Sequence, residues 1–337
     1  IMPSLVGSEM CIRDSIDSLI QFDETLSDKM DDILKWFDIT EKGNFKNHLN
    51  IISLNHELKN DFYSPEGWNI VRKVRQALTE NRKLRIPPGT DSKNISSWNF
   101  QTLSALLDVI QYSKIESISN GAAELFIKTH EHVHKTFFFH DEEDKSRLKT
   151  STTRNGNTPL FENYVFFAEL SFRAYEIFGT DNFYTNGVST IEFIKKEFFK
   201  DNMFYSRAIS FNDNEYYDNI HTPIFDQSYK SPLATLICLL RKWALVENDI
   251  KDFLDEIHTT MDALTHLSLQ NPMAFGETLR ALVYPDEAYR VIKVPLKWLK
   301  NKSFHPFFGN FSSRFALKYH TEAVSYTHLT LPTTPYV

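Results

Sequence analysis

A mainly α-helical fold, built as a toroid of helical hairpins with short β-pieces between them, is predicted by three observations. Glycine is scarce, 10 in 337 residues, while Phe (28) and Tyr (14) are abundant and fall in long apolar-periodic runs, which favours helices over a Gly-rich β architecture. Paired helical patterns open at Trp98, Tyr164 and Leu233, spaced 66 and 69 residues apart. Aromatic extended pieces, Phe137-Phe138-Phe139 and Met203-Phe204-Tyr205, separate the pairs. Helix pairs at a fixed period mark units that bury a shared core, and this period is roughly twice that of a tetratricopeptide solenoid.

The elements follow in order. Residues 17–37 hold two short helical pieces, with Ser27 as N-cap of the second and Asp28 and Asp31 in its first turn, where acids complement the helix dipole. Gly43-Asn44 signals a turn and residues 48–54 an extended connection or short strand,. Ser64-Pro65-Glu66 opens a helix to about residue 81, with cap, first-position proline and acid in sequence,. Pro87-Pro88-Gly89 ends that region. Three hairpins follow: helices over 97–112 and 118–134, over 162–178 and 181–200 turning at Gly179-Thr180-Asp181, and over 231–245 and 248–267 turning at Asn248-Asp249. A last helix covers 272–283, and 289–294 alternates like a strand,.

Lys and Arg number 37 against 44 Asp and Glu, a net charge of −7, which argues against a nucleic-acid partner or an anionic membrane surface. The longest apolar stretch, residues 233–240, is far short of the roughly 20 residues of a membrane span. Two cysteines, Cys11 and Cys238, define no disulfide framework,. Residues 1–15 lack period, cap and turn logic, and 324–337 form a Thr/Pro-rich tail without charge. Both are similar to translated sequencing-adapter strings and are set aside as scars are. The expected domain is therefore 16–323, and no leader peptide or localisation can be read from it.

Four segments in order carry a family resemblance: residues 37–45 (FDITEKGNF), Asp91-Ser92-Lys93 followed by Ser97-Trp98-Asn99, then Phe161-Glu162-Asn163-Tyr164, then Asp226 with Ser231. Together they resemble the C-terminal domain of YyaL-type thioredoxin-domain proteins, a family that includes the spermatogenesis-associated thioredoxin-like proteins. The resemblance implies an (α/α)6 barrel similar to N-acylglucosamine 2-epimerase-like and six-hairpin glycosidase-like domains, preceded by a thioredoxin-like domain. The chain contains no Cys-x-x-Cys, no Gly-Gly-Gly and no His-Phe-Glu, so the resemblance implies an incomplete barrel. Its early hairpins and its redox domain would be partners missing from the chain, and the fragment itself is expected to be inactive. Asn163 stands where the family has a second acid, and Gln227-Ser228-Tyr229-Lys230-Ser231-Pro232 replaces the family's Pro-Ser-x-Asn-Ser-like run.

The implied chemistry is carbohydrate binding or turnover. Asp91, Glu162 and Asp226, from different hairpins, are the candidate general acid/base carboxylates. Lys93, Trp98, Asn99, Tyr164 and Ser231 are the candidate substrate contacts, with Trp98 a stacking face. Each has a plainer role as well: Asp91 pairing with Lys93, Trp98 in the core, Glu162 complementing a helix dipole. The alternative for the whole protein is a non-enzymatic platform presenting the thioredoxin-like domain to clients. His130 and His134 share a helix face in His130-Glu131-His132-Val133-His134, but the run is not His-Glu-x-x-His and reads as a solvated helix end. No metal and no cofactor are expected. Cys238 reads as a buried, inert thiol, and the acidic run 140–144 as a solvated loop.

Overall fold

A computed structural model describes residues 24–40, 42–44, 50, 51, 53–83, 86, 89–140, 146–153, 157–210, 224–300 and 314–320. The adapter-like ends, the acidic run 141–144 and the Pro87-Pro88 pair lie outside the described residues. The chain divides after Ser92 into two compact units.

The first unit holds a 3-10 turn (Glu24–Lys29) running into α1 (Met30–Trp36), then α2 (Lys59–Phe62) and α3 (Pro65–Lys83). Ser27 falls inside the 3-10 turn rather than at a cap, and the residue before α1 is Lys29, which makes no side-chain cap bond. The acids Asp31 and Asp32 still occupy the first turn. Ser64 caps as its sequence implies, its Oγ accepting from Gly67 N at 3.0 Å. The Gly43-Asn44 turn forms with Gly43 at φ 75°, and the Asn44 side chain spans to the backbone of Asp38 and Ile51. The described residues of the 48–54 stretch are irregular rather than a strand, held by Asn50, which bonds both backbone groups of Thr40. Leu26, Ile33, Trp36, Phe62, Val71, Val74 and Ala77 form the core of this unit.

The second unit is mainly helical, as the composition and periodicity predict. Its helices are α4 (Ser96–Tyr112), α5 (Glu116–Phe137), α6 (Phe161–Phe178), α7 (Asp181–Phe198), α8 (Pro232–Trp243), α9 (Asn248–Glu256), α10 (His258–Gln270) and α11 (Gly276–Leu282). Helices α4, α6 and α8, the first of their pairs, and then α11 pack side by side in that order. Helices α5, α7 and α9 each pack on their own partner, and α10 on α11. Helix α6 is central: it meets α4, α7 and α8 and is buried on nearly every side. Gly179, at φ 65°, ends it in the left-handed conformation, the usual use of glycine after a helix. The predicted 248–267 helix is broken at Ile257, a buried residue whose backbone leaves the helical region between α9 and α10. The predicted 272–283 helix begins as a 3-10 turn (Pro272–Ala274) and restarts after Phe275.

Two small antiparallel pairs close back on the helices. Strands β1 (Phe138–His140) and β2 (Ser146–Leu148) follow α5, and β3 (Phe199–Lys200) and β4 (Met203–Phe204) follow α7. Asp201 and Asn202, at φ 52° and 61°, make the two-residue turn of the second pair, as hairpins of this twist require. Each pair returns to the start of its own first helix: Ser96 N donates to Thr150 O and Phe161 N to Ser206 O, both at 2.9 Å. Strands β5 (Arg290–Pro295) and β6 (Phe315–His320) pair in parallel. Tyr319 N donates to Tyr175 Oη at 2.9 Å, fastening β6 to the end of α6.

The core of this unit is aromatic. Phe172 stacks on Trp243 with ring centroids 4.5 Å apart, and α7 approaches that stack through Gly187, where a Cβ would lie 2.8 Å from the Phe172 ring. Arg241 is buried and binds Tyr284 O at 2.6 Å, Ala281 O and the Asp286 carboxylate. It thereby ties α8 to the segment leaving α11.

Candidate functional site

The side-by-side helices share a polar stripe. Helix α4 and its start present Ser97, Gln101, Ser104, Asp108 and Gln111, and α8 with its cap presents Ser231, Thr235, Cys238 and Lys242. Steps of three and four keep each set on one helix face. Glu162, Glu169, Arg173 and Glu176 are the only charged residues of α6 and step by seven, four and three. Glu277 and Arg280 continue the stripe on α11. Residues of all four helices line a cavity of about 260 Å³.

The charges in this cleft are paired, three of the pairs across helices and one within α11. Arg173 of α6 binds Asp108 of α4. Lys230, just before α8, binds Glu169 of α6. Lys242 of α8 binds Glu176 at 2.7 Å. Arg280 grips Glu277 with two bonds of 2.7 and 2.8 Å, the two-point geometry guanidinium favours with carboxylate. Burial pushes the Glu176 carboxyl up against the opposing pull of Lys242 and of Leu317 N. Burial also acts to raise Glu277, but the Arg280 bonds and charge, with Lys230 and Thr235, outweigh it and hold the carboxyl low. The Cys238 thiol, which lines the cleft, is pushed up to about 12 by burial, which disfavours the nucleophilic thiolate at neutral pH.

The predicted site residues separate into two groups. Glu162 belongs to the stripe: its carboxylate accepts from Ser97 Oγ at 3.0 Å and from the Tyr229 hydroxyl. Burial, then that carboxylate, pushes the Tyr229 hydroxyl up, so it stays a donor. Asp226 is spent on structure, one oxygen accepting from Ser231 N at 2.7 Å and the other from Glu277 N at 2.9 Å. It therefore fixes the entry of α8 and the first turn of α11 rather than facing the cleft as an acid or base. Ser231 is buried as the α8 cap, accepting from Ala234 N at 3.3 Å. Tyr164 is buried against Phe193, and its hydroxyl accepts from Leu148 N at 3.1 Å. Its ring is thereby core, not a wall open to substrate. Asn99 turns its amide to Ile95 O at 2.8 Å. Trp98 is 58% exposed on the first turn of α4, not in the core. Asp91 and Lys93 are exposed, on either side of the unit boundary.

Sequence reading centred on helix openings missed Asp108, Glu169, Arg173, Glu176, Lys230, Lys242, Glu277 and Arg280. The signal was present in α6, where charged residues in an otherwise apolar helix fall on one face. His130 and His134 do share a face, their rings 6.3 Å apart. His130 is half-buried against Phe126 and Phe183, while His134 stacks on Phe138 and stays exposed, as does His132. Among the described residues no group of three or more His, Cys, Asp or Glu is placed to hold a metal ion. Among them, too, no helix is long and apolar enough to cross a membrane. No family model and no curated protein matches the chain.

Proposed function

We propose that the second unit is a carbohydrate-binding element whose row of helix pairs forms an arc of an (α/α) toroid. On this reading it is the sugar-facing part of a larger YyaL-type thioredoxin-domain protein. The observation that carries it is the polar cleft: four helices packed side by side, α4, α6, α8 and α11, converge cations, carboxylates, hydroxyls and amides on one cavity. Convergent polar groups in a concave site with an aromatic rim suit a ligand dense in hydroxyls, and Tyr112 lies at that rim, half exposed. The volume, about 260 Å³, suits one small ring rather than an oligomer. An apolar cavity poor in carboxylates would instead have favoured a pure interaction platform.

Binding, without turnover, is the activity proposed for this chain. Glu162, Glu169, Glu176 and Glu277 are each held by a cation or a hydroxyl, and a general acid must be free to reach its proton's destination. Calorimetric titration of the full chain with neutral, N-acylated and acidic monosaccharides tests the reading. Millimolar or tighter binding is expected, weakened at least tenfold by Asp108→Ala, which removes the exposed acceptor of the cleft. Absence of heat with every sugar would refute it. A second reading, docking of a protein client, draws on the first unit, where Phe37, Leu54, Trp68, Val71 and Leu78 line an apolar groove of about 380 Å³.

A further inference from the structure

The cleft is polarised along its length, and the polarity names a ligand class. At the α8–α11 end the cations stand in front of the acids. The Lys230 side chain is 31% exposed against 11% for Glu169, and Arg280 is 44% exposed against 9% for Glu277. At the α4 end the order reverses, with Asp108 53% exposed in front of Arg173 at 24%. A ligand entering at the first end therefore meets ammonium and guanidinium groups before any carboxylate.

Donor capacity points the same way. Arg280 commits Nε and one Nη2 hydrogen to Glu277, leaving three of its five N–H donors. Lys230 commits one donor to Glu169 and lies over the Phe166 ring, leaving two of three. The Glu277 oxygens behind are already met by Arg280 and by Thr235 Oγ1. What this end of the cleft offers is donors, so its natural occupant is an acceptor carrying negative charge.

We infer that Lys230 and Arg280 form a subsite for the carboxylate of a sugar acid. The inference rests on the carbohydrate reading above and narrows it to an anionic sugar. Charge count selects carboxylate over phosphate. Lys230 and Arg280 are already balanced by Glu169 and Glu277, so a monoanion brings one excess negative charge and a phosphate dianion nearly two. The remaining Nη1/Nη2 edge of the Arg280 guanidinium also matches a carboxylate in two-point geometry,. Asp108 and Gln111, at the far end, are then left to accept from and donate to ring hydroxyls.

The test is titration of the full chain with D-glucuronate, D-glucose and glucose 6-phosphate in low salt. Glucuronate is expected to bind at least tenfold more tightly than glucose, with the preference shrinking as salt rises. Lys230→Gln and the paired variant Glu277→Gln with Arg280→Gln are each expected to bring the glucuronate-to-glucose ratio near one. The paired variant removes both partners, so no buried charge is orphaned, and its melting curve reports folding independently. Equal binding of glucose and glucuronate by the unaltered chain would overturn the subsite while leaving the carbohydrate reading in place. No binding of any sugar would overturn both. Tighter binding of glucose 6-phosphate, or a glucuronate preference surviving both variants, would overturn the assignment of the carboxylate to these two side chains.

Discussion

Two glycines in helices of the second unit should respond to the same substitution with opposite signs. At Gly121, in α5, an added Cβ meets nothing within 4 Å. Gly121→Ala should therefore stabilise by up to about 1 kcal/mol, the helix-propensity difference. At Gly187 the Cβ would stand 2.8 to 2.9 Å from three atoms of the Phe172 ring, where carbon pairs prefer about 3.5–4.0 Å. The ring cannot retreat, because it stacks on buried Trp243 at 4.5 Å and meets Tyr184 edge-on. Overpacking of a filled core costs about 1–3 kcal/mol, and a pinned ring belongs to the upper half of that range. Set against the same propensity gain of about 1 kcal/mol, Gly187→Ala should destabilise by about 1–2 kcal/mol net. For a unit of this size that is a fall of about 2–8 °C in Tm. Scanning calorimetry is the assay, since two compact units can unfold as separate transitions. Shaving the ring with Phe172→Leu should reduce the cost of Gly187→Ala, a coupling readable from the double-mutant cycle. If Gly187→Ala raises Tm as Gly121→Ala does, the close approach of α7 to the Phe172–Trp243 stack is wrong.

Further expectations concern titration and a buried cation. Burial, then the neighbouring His134 charge, depresses the His130 pKa against a smaller opposing pull from Glu131, and burial depresses His134. The folded state therefore resists protonation that the unfolded state accepts, and stability should fall as pH drops below about 6.5, until the lower folded-state values are passed. Melting curves from pH 7.5 to 5 should show that loss, and His130→Leu should flatten it; an unchanged slope would contradict the packing of these rings. Arg241→Met should cost about 3 kcal/mol, because Ala281 O and Tyr284 O lose their donor,. A urea-midpoint change corresponding to less than about 1 kcal/mol would show that those carbonyls find other partners.

Local chemistry carried much of the fold into legible form. Ser64-Pro65 and Ser231-Pro232 open helices by their own side chains, Gly179 ends one, and each signal is complete within a few residues. Ser27 failed because capping also depends on where the helical backbone begins, and a 3-10 turn occupies that position. The break at Ile257 was hidden because the residue is a good apolar core member whose burial, not its propensity, sets the bend. At the site, Asp226 and Ser231 looked chemical because acids and hydroxyls before helices look alike whether they bind substrate or backbone. Glu162 was noticed at a helix start, although its partners Ser97 and Tyr229 lie 65 and 67 residues away. Pairing between side chains so distant is decided by packing, which a one-dimensional pattern only constrains to a face.

Those separations have a consequence of their own. Asp108–Arg173, Glu169–Lys230 and Glu176–Lys242 span 65, 61 and 66 residues, close to the 66- and 69-residue spacing of the helix openings. Each bond thus joins comparable depths of neighbouring units, like rungs between the rails of a ladder. In a quasi-one-dimensional array, cooperativity resides in the couplings between nearest neighbours more than in the stability of any unit alone. Severing one rung should therefore loosen communication between two adjacent hairpins and let the flanking segments melt apart, broadening a sharp unfolding transition before it shifts the midpoint far.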